Sequence, residues 1–227
     1  NICVINSNER NYFYLIMEYK ISPLFSSPLI QVIIQEDTDE LKQNKDFGYN
    51  NNQKEMEYYT DYTESNGRIL ERYLKSKTIL LNTFKIVAEQ VLKYSPREYQ
   101  ITTSWATIIR KGESSQTHNH HNSFWSGVYY YGDDYPEGCA SIGFENPNIN
   151  ISSFALFGKD IREFNEYNAM TCEFIPKRKL LLLFPSYLQH QVLTHNNDSI
   201  RYSLAFNIVP LGTWGEGDSS YNMSWVN

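Results

Sequence analysis

Near residue 100 the hydrophobic pattern of this chain changes period from helical to two, and that change narrows the folds open to it more than any other feature. Before it, Leu80, Phe84, Val87 and Val91 fall at i, i+4, i+7 and i+11, one apolar stripe of a helix that Pro96 ends. After it come ITTSWATIIRKG, SFWSGVYYYG, CASIGFENP, KLLLLFPS and SIRYSLAFNIVPLG. Each is short, β-branched or aromatic, and bounded by Gly, Pro or Asn-Asp. Helix signals between them are scarce. Short strands in series predict a mainly β (α+β) sandwich or barrel, not an alternating α/β sheet.

Upstream, KISPLFSSPLIQVII reads as an extended entry segment punctuated by prolines. Residues 36–66 are polar and rich in Asn, Glu, Asp and Tyr, which predicts a long loop or surface excursion. The stretch 146–176 predicts a long connection carrying a short helix or hairpin. Met17 is a plausible natural start, so residues 1–16 are expected to be an extension and 17–227 a single domain. Within it, 17–99 form a helical and loop part and 100–212 the β core.

With 227 residues the chain can bury a core that needs no staples. Its net charge of −6, with both signs interspersed, argues against a duplex nucleic-acid partner, which calls for a basic stripe. The densest apolar run, Leu180 to Phe184, is too short to cross a bilayer, so no membrane partner is expected. Cys3, Cys139 and Cys172 are odd in number and widely spaced, which predicts reduced thiols in a cytoplasmic protein.

All five histidines sit in two places: His118, His120 and His121, then His190 and His195. In an extended chain His118 and His120 emerge on one face and can converge on one ion, while His121 points to the other. A third ligand must come from elsewhere. His190 follows a buried strand and a Pro turn, where it can be held rigidly; His195 lies in THNNDS, a solvated turn by composition. The expected metal ligands are therefore His118, His120 and His190, and imidazoles suit iron, zinc or copper.

In RYSLAFN, strand alternation puts Arg201, Ser203 and Asn207 on one face and Tyr202, Leu204, Phe206 and Ile208 on the other. The first set suits a carboxylate, since Arg offers a bidentate fork and Ser a further donor. A hairpin joining His190 to Arg201 would bring the clamp close to the metal, an arrangement suited to a short dicarboxylic cosubstrate. Trp125, Tyr129 and Tyr131 share one face of the strand after the ligands and either line the pocket or fill the barrel. Tyr129 and Asn207 are further candidates for cosubstrate contact.

HNHHNSFWSGVYYY, FENP, LLLLFPSYLQHQV and SIRYSLAFN together resemble the Fe(II)/2-oxoglutarate oxygenase superfamily, and more narrowly a group of uncharacterised oxygenases of bacteria and their viruses. ISPLFSSPL and TTSWATIIRKGESSQ extend the resemblance over roughly residues 20 to 212. It implies a double-stranded β-helix, a cupin-like jelly-roll barrel with buttressing helices. It also implies Fe(II) and 2-oxoglutarate as cofactors, with O2 and an unknown primary substrate as partners. His118 and His190 match the first and distal ligand positions, and Arg201 and Ser203 match an Arg-x-Ser carboxylate clamp. His120 stands where the superfamily has a carboxylate, and a three-histidine site leaves the full double charge on iron.

Three readings stay open at this level. The first is a 2-oxoglutarate-dependent dioxygenase, coupling decarboxylation of the cosubstrate to oxidation of another molecule. The second is a three-histidine metalloenzyme that uses no 2-oxoglutarate, for which the Arg201–Ser203 pair has no obvious use. The third is a non-catalytic jelly-roll binding module.

Overall fold

The computed structural model describes residues 2–4, 26–44, 59–60, 67–148, 161–165 and 167–224. Its strands are β1 (Ile2–Val4), β2 (Ile30–Ile33), β3 (Tyr59–Thr60), β4 (Tyr99–Ile109), β5 (Trp125–Tyr129), β6 (Ile142–Glu145) and β7 (Thr171–Phe174). They continue as β8 (Leu180–Pro185), β9 (His190–Val192), β10 (Arg201–Pro210), β11 (Gly212–Trp214) and β12 (Tyr221–Met223). One α-helix, α1 (Leu74–Ile86), precedes β4. The fold is thus mostly β, and each of the five strand-like stretches read from the sequence contains a strand.

Two sheets organise the molecule. The larger has the order β2-β8-β5-β10-β4-β3 and the smaller β1-β7-β6-β9; all pairings are antiparallel except that of β1 with β7. One core joins Leu80 and Phe84 of α1 to Trp125, Tyr129, Leu181, Leu183, Leu204 and Phe206, so the helix covers one face of the larger sheet. A second core joins Val128, Leu180, Leu182 and Phe184 to Ile142 and Phe144, so the smaller sheet packs on the opposite face. A strand covered on both sides needs apolar residues at every position, which is why LLLLFP does not alternate.

The helix departs from expectation at its end. Leu80, Phe84 and Val87 are buried as the stripe predicts, but Val91 is 61% exposed. After Ile86 the helix loosens into a π turn over Val87–Val91, with Leu92 N–H donating to the Val87 carbonyl. The wider turn shifts the phase, and the fully buried Ala88 continues the apolar face instead. The chain then leaves the helix at Lys93, whose φ of 61° is left-handed, before Pro96 is reached.

The polar stretch 36–66 is partly anchored. Asp39–Asn44 form a 3-10 turn whose Leu41 is buried, and β3 pairs with β4 through Tyr59–Ile108 and Thr60–Thr107. Residues 45–58 and 61–66 lie outside the described residues. Of the stretch 146–176, residues 149–160 and 166 lie outside the described residues, and Thr171–Phe174 form β7, which pairs with β6. The extension 1–16 is described only at β1, and Cys3 only in its backbone pairing with Cys172. Cys139 and Cys172 form no disulfide. Among the described residues no helix is long and apolar enough to cross a membrane.

Candidate metal centre and anion pocket

A cavity of about 470 Å3 opens between the two sheets. From the larger sheet β4 contributes Thr103, Trp105, Thr107 and Ile109, and β10 contributes Arg201, Ser203, Ala205 and Asn207. The phase of β4 depends on a bulge. Asn207 pairs with Thr103 but Ile208 with Ile101, leaving Thr102 as the extra residue. That insertion turns Ile101 to the helix-side core and Thr103 to the cavity.

His118, His120 and His190 enter this cavity, and the three can each offer a ring nitrogen lying within 4.8 Å of the others. Ring centroids are 4.5 Å apart for His118 and His190 and 5.2 Å for His120 with either. Backbone pairing sets this convergence: His118 and His190 exchange both N–H···O bonds as an isolated antiparallel bridge, and His120 N–H donates to the Ser186 carbonyl. His118 Nδ1 lies 2.8 Å from the Gln116 carbonyl and His190 Nδ1 2.9 Å from that of Leu188. A carbonyl only accepts, so each Nδ1 carries the proton and each Nε2 keeps its lone pair for a cation. Burial depresses the pKa of His120 to about 4 and of His190 to about 3, with the neighbouring imidazoles adding to it. Both rings are therefore neutral and ready to ligate at ordinary pH. Among the described residues no carboxylate joins the cluster.

Arg201 is completely buried on the same cavity. Its Nε donates to the Ala140 carbonyl at 3.0 Å, Nη1 to Ser203 Oγ at 3.0 Å and Nη2 to the Tyr130 hydroxyl at 3.1 Å. A guanidinium has five N–H groups, so two are left over. None of the described ion pairs includes it. Burial pushes the Tyr130 phenol and the nearby Cys139 thiol up despite the pull of Arg201, so neither serves as its counter-ion. A buried cation that meets only neutral partners is poorly compensated, and an anion entering the cavity would supply the missing charge.

Asn207 also faces the cavity, with its amide held from both ends: Ser126 Oγ donates to Oδ1 at 2.8 Å and Nδ2 donates to Thr103 Oγ1 at 2.9 Å. Ser186 donates in turn to Ser126, at 2.8 Å.

Three sequence expectations need correction. Tyr129 does not reach the cavity. With Trp125 it packs on the helix side of β5, and its hydroxyl is bonded to Thr38 Oγ1 at 2.6 Å. Tyr131 lies in the same core. The next residue of the opposite phase, Tyr130, meets Arg201 instead; the aromatic run signals a strand but not which phase faces the ligand. His190 and Arg201 are not joined by a hairpin, because β9 pairs with β6 in the smaller sheet while β10 pairs with β4 and β5 in the larger. The connection crosses between sheets, and both residues line the same cavity. His195 is not in a solvated turn; it is 0% exposed. His121 is exposed and stands apart from the cluster, as expected. Trp105, whose ring centroid is 5.6 Å from that of His120, was not singled out by any sequence pattern.

Residues 103–207 match a family model described as "Putative 2OG-Fe(II) oxygenase". No curated protein matches the chain. Among solved structures, HygX from Streptomyces hygroscopicus, crystallised with nickel, 2-oxoglutarate and hygromycin B, superposes with a TM-score of 0.52 at 10% identity. The match covers 81% of this chain and 83% of that one. A Pseudomonas putida prolyl-4-hydroxylase gives 0.49 at 12% identity over 80% and 93%. An oxidoreductase of the 2OG-Fe(II) oxygenase family from Burkholderia pseudomallei gives 0.42 at 14% identity over 59% of this chain and 56% of that one. Of these three, the HygX likeness bears on the fold; the others superpose too loosely to add to it.

Proposed function

Since residues 103–207 carry the sequence pattern of the 2OG-Fe(II) oxygenases, we propose that this protein is an Fe(II)- and 2-oxoglutarate-dependent dioxygenase on a double-stranded β-helix. The observation that carries the reading is one cavity holding both a cation site and an anion site: three convergent imidazoles, and a buried guanidinium without an acidic partner among the described residues. Three nitrogen donors with no thiolate fit a borderline metal such as Fe(II). They would hold part of its coordination sphere and leave room for cosubstrate and O2.

His118, His120 and His190 would hold the metal, and Arg201 with Ser203 would bind the far carboxylate of 2-oxoglutarate. Bound there, Fe(II) would supply the O2 chemistry that couples oxidative decarboxylation of 2-oxoglutarate, to succinate and CO2, with oxidation of a second, unidentified substrate. The chain's own part is binding, orientation and exclusion of water. The Gln116 and Leu188 carbonyls orient the two imidazoles. Val128, Ile142, Phe184 and Val192 give the cavity an apolar wall that strengthens the guanidinium–carboxylate attraction. Asn207, held by Ser126 and Thr103, can donate its remaining amide hydrogen to a bound carboxylate or substrate.

The test begins without oxygen. Adding Fe(II) and 2-oxoglutarate should produce the metal-to-ligand absorption band, and admitting O2 should release succinate. Metal-loaded protein that gives neither band nor succinate would overturn the proposal. The donor set by itself also favours a second reading, a three-histidine metalloenzyme independent of 2-oxoglutarate. That reading predicts metal binding with no band and no need for Arg201.

A further inference from the structure

His195 is as enclosed as Arg201, and the proposed chemistry gives it no task. Its ring is clasped between two backbone segments. Nδ1 accepts the Ala140 N–H at 3.0 Å, and Nε2 lies 2.8 Å from the Ser199 carbonyl. An amide N–H only donates and a carbonyl only accepts, so the two partners together select the neutral imidazole protonated at Nε2. Ala140, gripped through its N–H, presents its own carbonyl to Arg201 Nε at 3.0 Å. Because a guanidinium is planar, fixing Nε against Ala140 and Nη1 against Ser203 fixes the directions of every other N–H. The main chain of His195 is tied independently: its N–H donates to the Glu113 carbonyl, and its carbonyl accepts the Gly112 N–H. Replacing the side chain therefore leaves these anchors of the 193–200 crossing in place.

We propose that His195 is a positioning residue for Arg201: by holding Ala140, it orients the guanidinium toward the cavity and thereby sets the affinity for the cosubstrate carboxylate. The inference rests on reading Arg201 as the carboxylate anchor, so the experiment tests both separately. 2-Oxoglutarate is titrated anaerobically into Fe(II)-loaded wild type, R201A, H195L and H195N, following the absorption band, and Fe(II) affinity is measured in parallel.

H195L removes the acceptor for Ala140 and should weaken 2-oxoglutarate about three- to tenfold, the worth of one net hydrogen bond, with Fe(II) affinity unchanged. H195N restores an acceptor oxygen near the Nδ1 position and should bind 2-oxoglutarate like wild type. If H195L does not fold, H195Q carries the same expectation, since it offers a donor near the Nε2 position but no acceptor at Nδ1. Wild-type 2-oxoglutarate affinity in H195L beside a weakened R201A would overturn the positioning role and leave the anchor standing. So would equal weakening in H195N and H195L, which would mark a merely structural residue. An R201A protein that binds 2-oxoglutarate normally would remove the anchor, and the inference with it.

Discussion

Burying a guanidinium costs several kcal/mol unless an anion or a full set of acceptors meets it. Arg201, which lines the cavity that also holds three imidazoles, has three neutral acceptors and two N–H groups left over. This asymmetry has two consequences for single side chains. Charge-assisted hydrogen bonds are worth about 1.5–3 kcal/mol each, so R201A should weaken 2-oxoglutarate about tenfold to a hundredfold in anaerobic titration. Fe(II) affinity should stay close to wild type. By contrast His190→Ala removes the most deeply buried of the three imidazoles and should abolish stoichiometric metal binding, read by metal analysis after desalting. Equal loss of metal and cosubstrate in R201A would contradict the separation of the two sites.

At the scale of elements, the central strands meet through one unusually close pair. Gly127 of β5 lies opposite Phe206 of β10, and a Cβ on Gly127 would come within 2.2 Å of the Phe206 ring. That ring is fully buried in the helix-side core and cannot swing to solvent. G127A should therefore cost about 1–3 kcal/mol, lowering Tm by roughly 2–4 °C for each kcal/mol. Thermal unfolding followed by circular dichroism checks it, and an unchanged Tm would show that the core yields. The same strand explains how Tyr129 and Tyr130 part company. The alternation of β5 carries on one residue past its end, so Tyr129 braces Thr38 and Tyr130 reaches Arg201.

For the whole molecule, acid should act through the cavity. His120 and His190 have folded-state pKa values of about 4 and about 3, below the ordinary 6.5. Depressed values mean that the unfolded chain takes up protons that the folded chain refuses. Their neutral forms are accommodated without loss above pH 6.5, and the resulting stability falls as pH drops from there toward 3. Urea midpoints of the metal-free protein should decline over this window. A His120→Gln, His190→Gln double variant should decline less steeply, and identical slopes would refute the assignment. Loading runs the other way: a ligand bound only by the folded state raises stability by RT ln(1 + [L]/Kd). Fe(II) with 2-oxoglutarate should therefore raise Tm further than Fe(II) alone.

The sequence alone dictates the β-rich layout, the helix before it and the two-residue spacing of His118 and His120. It also determined the alternation that puts Arg201, Ser203 and Asn207 together. These follow from local periodicity and from spacing along single strands, which a chain carries before it folds. Folding sets which strand face meets the cavity, and so exchanged Tyr129 for Tyr130, and it brings the distant His190 beside His118. The phase change at Thr102, the π turn that turned Val91 outward, and the burial of His195 in a stretch polar enough to pass for a surface turn were decided in the same way. Each depends on what packs against the chain from a distant element, and a one-dimensional pattern specifies an element's two faces without saying what will cover either of them.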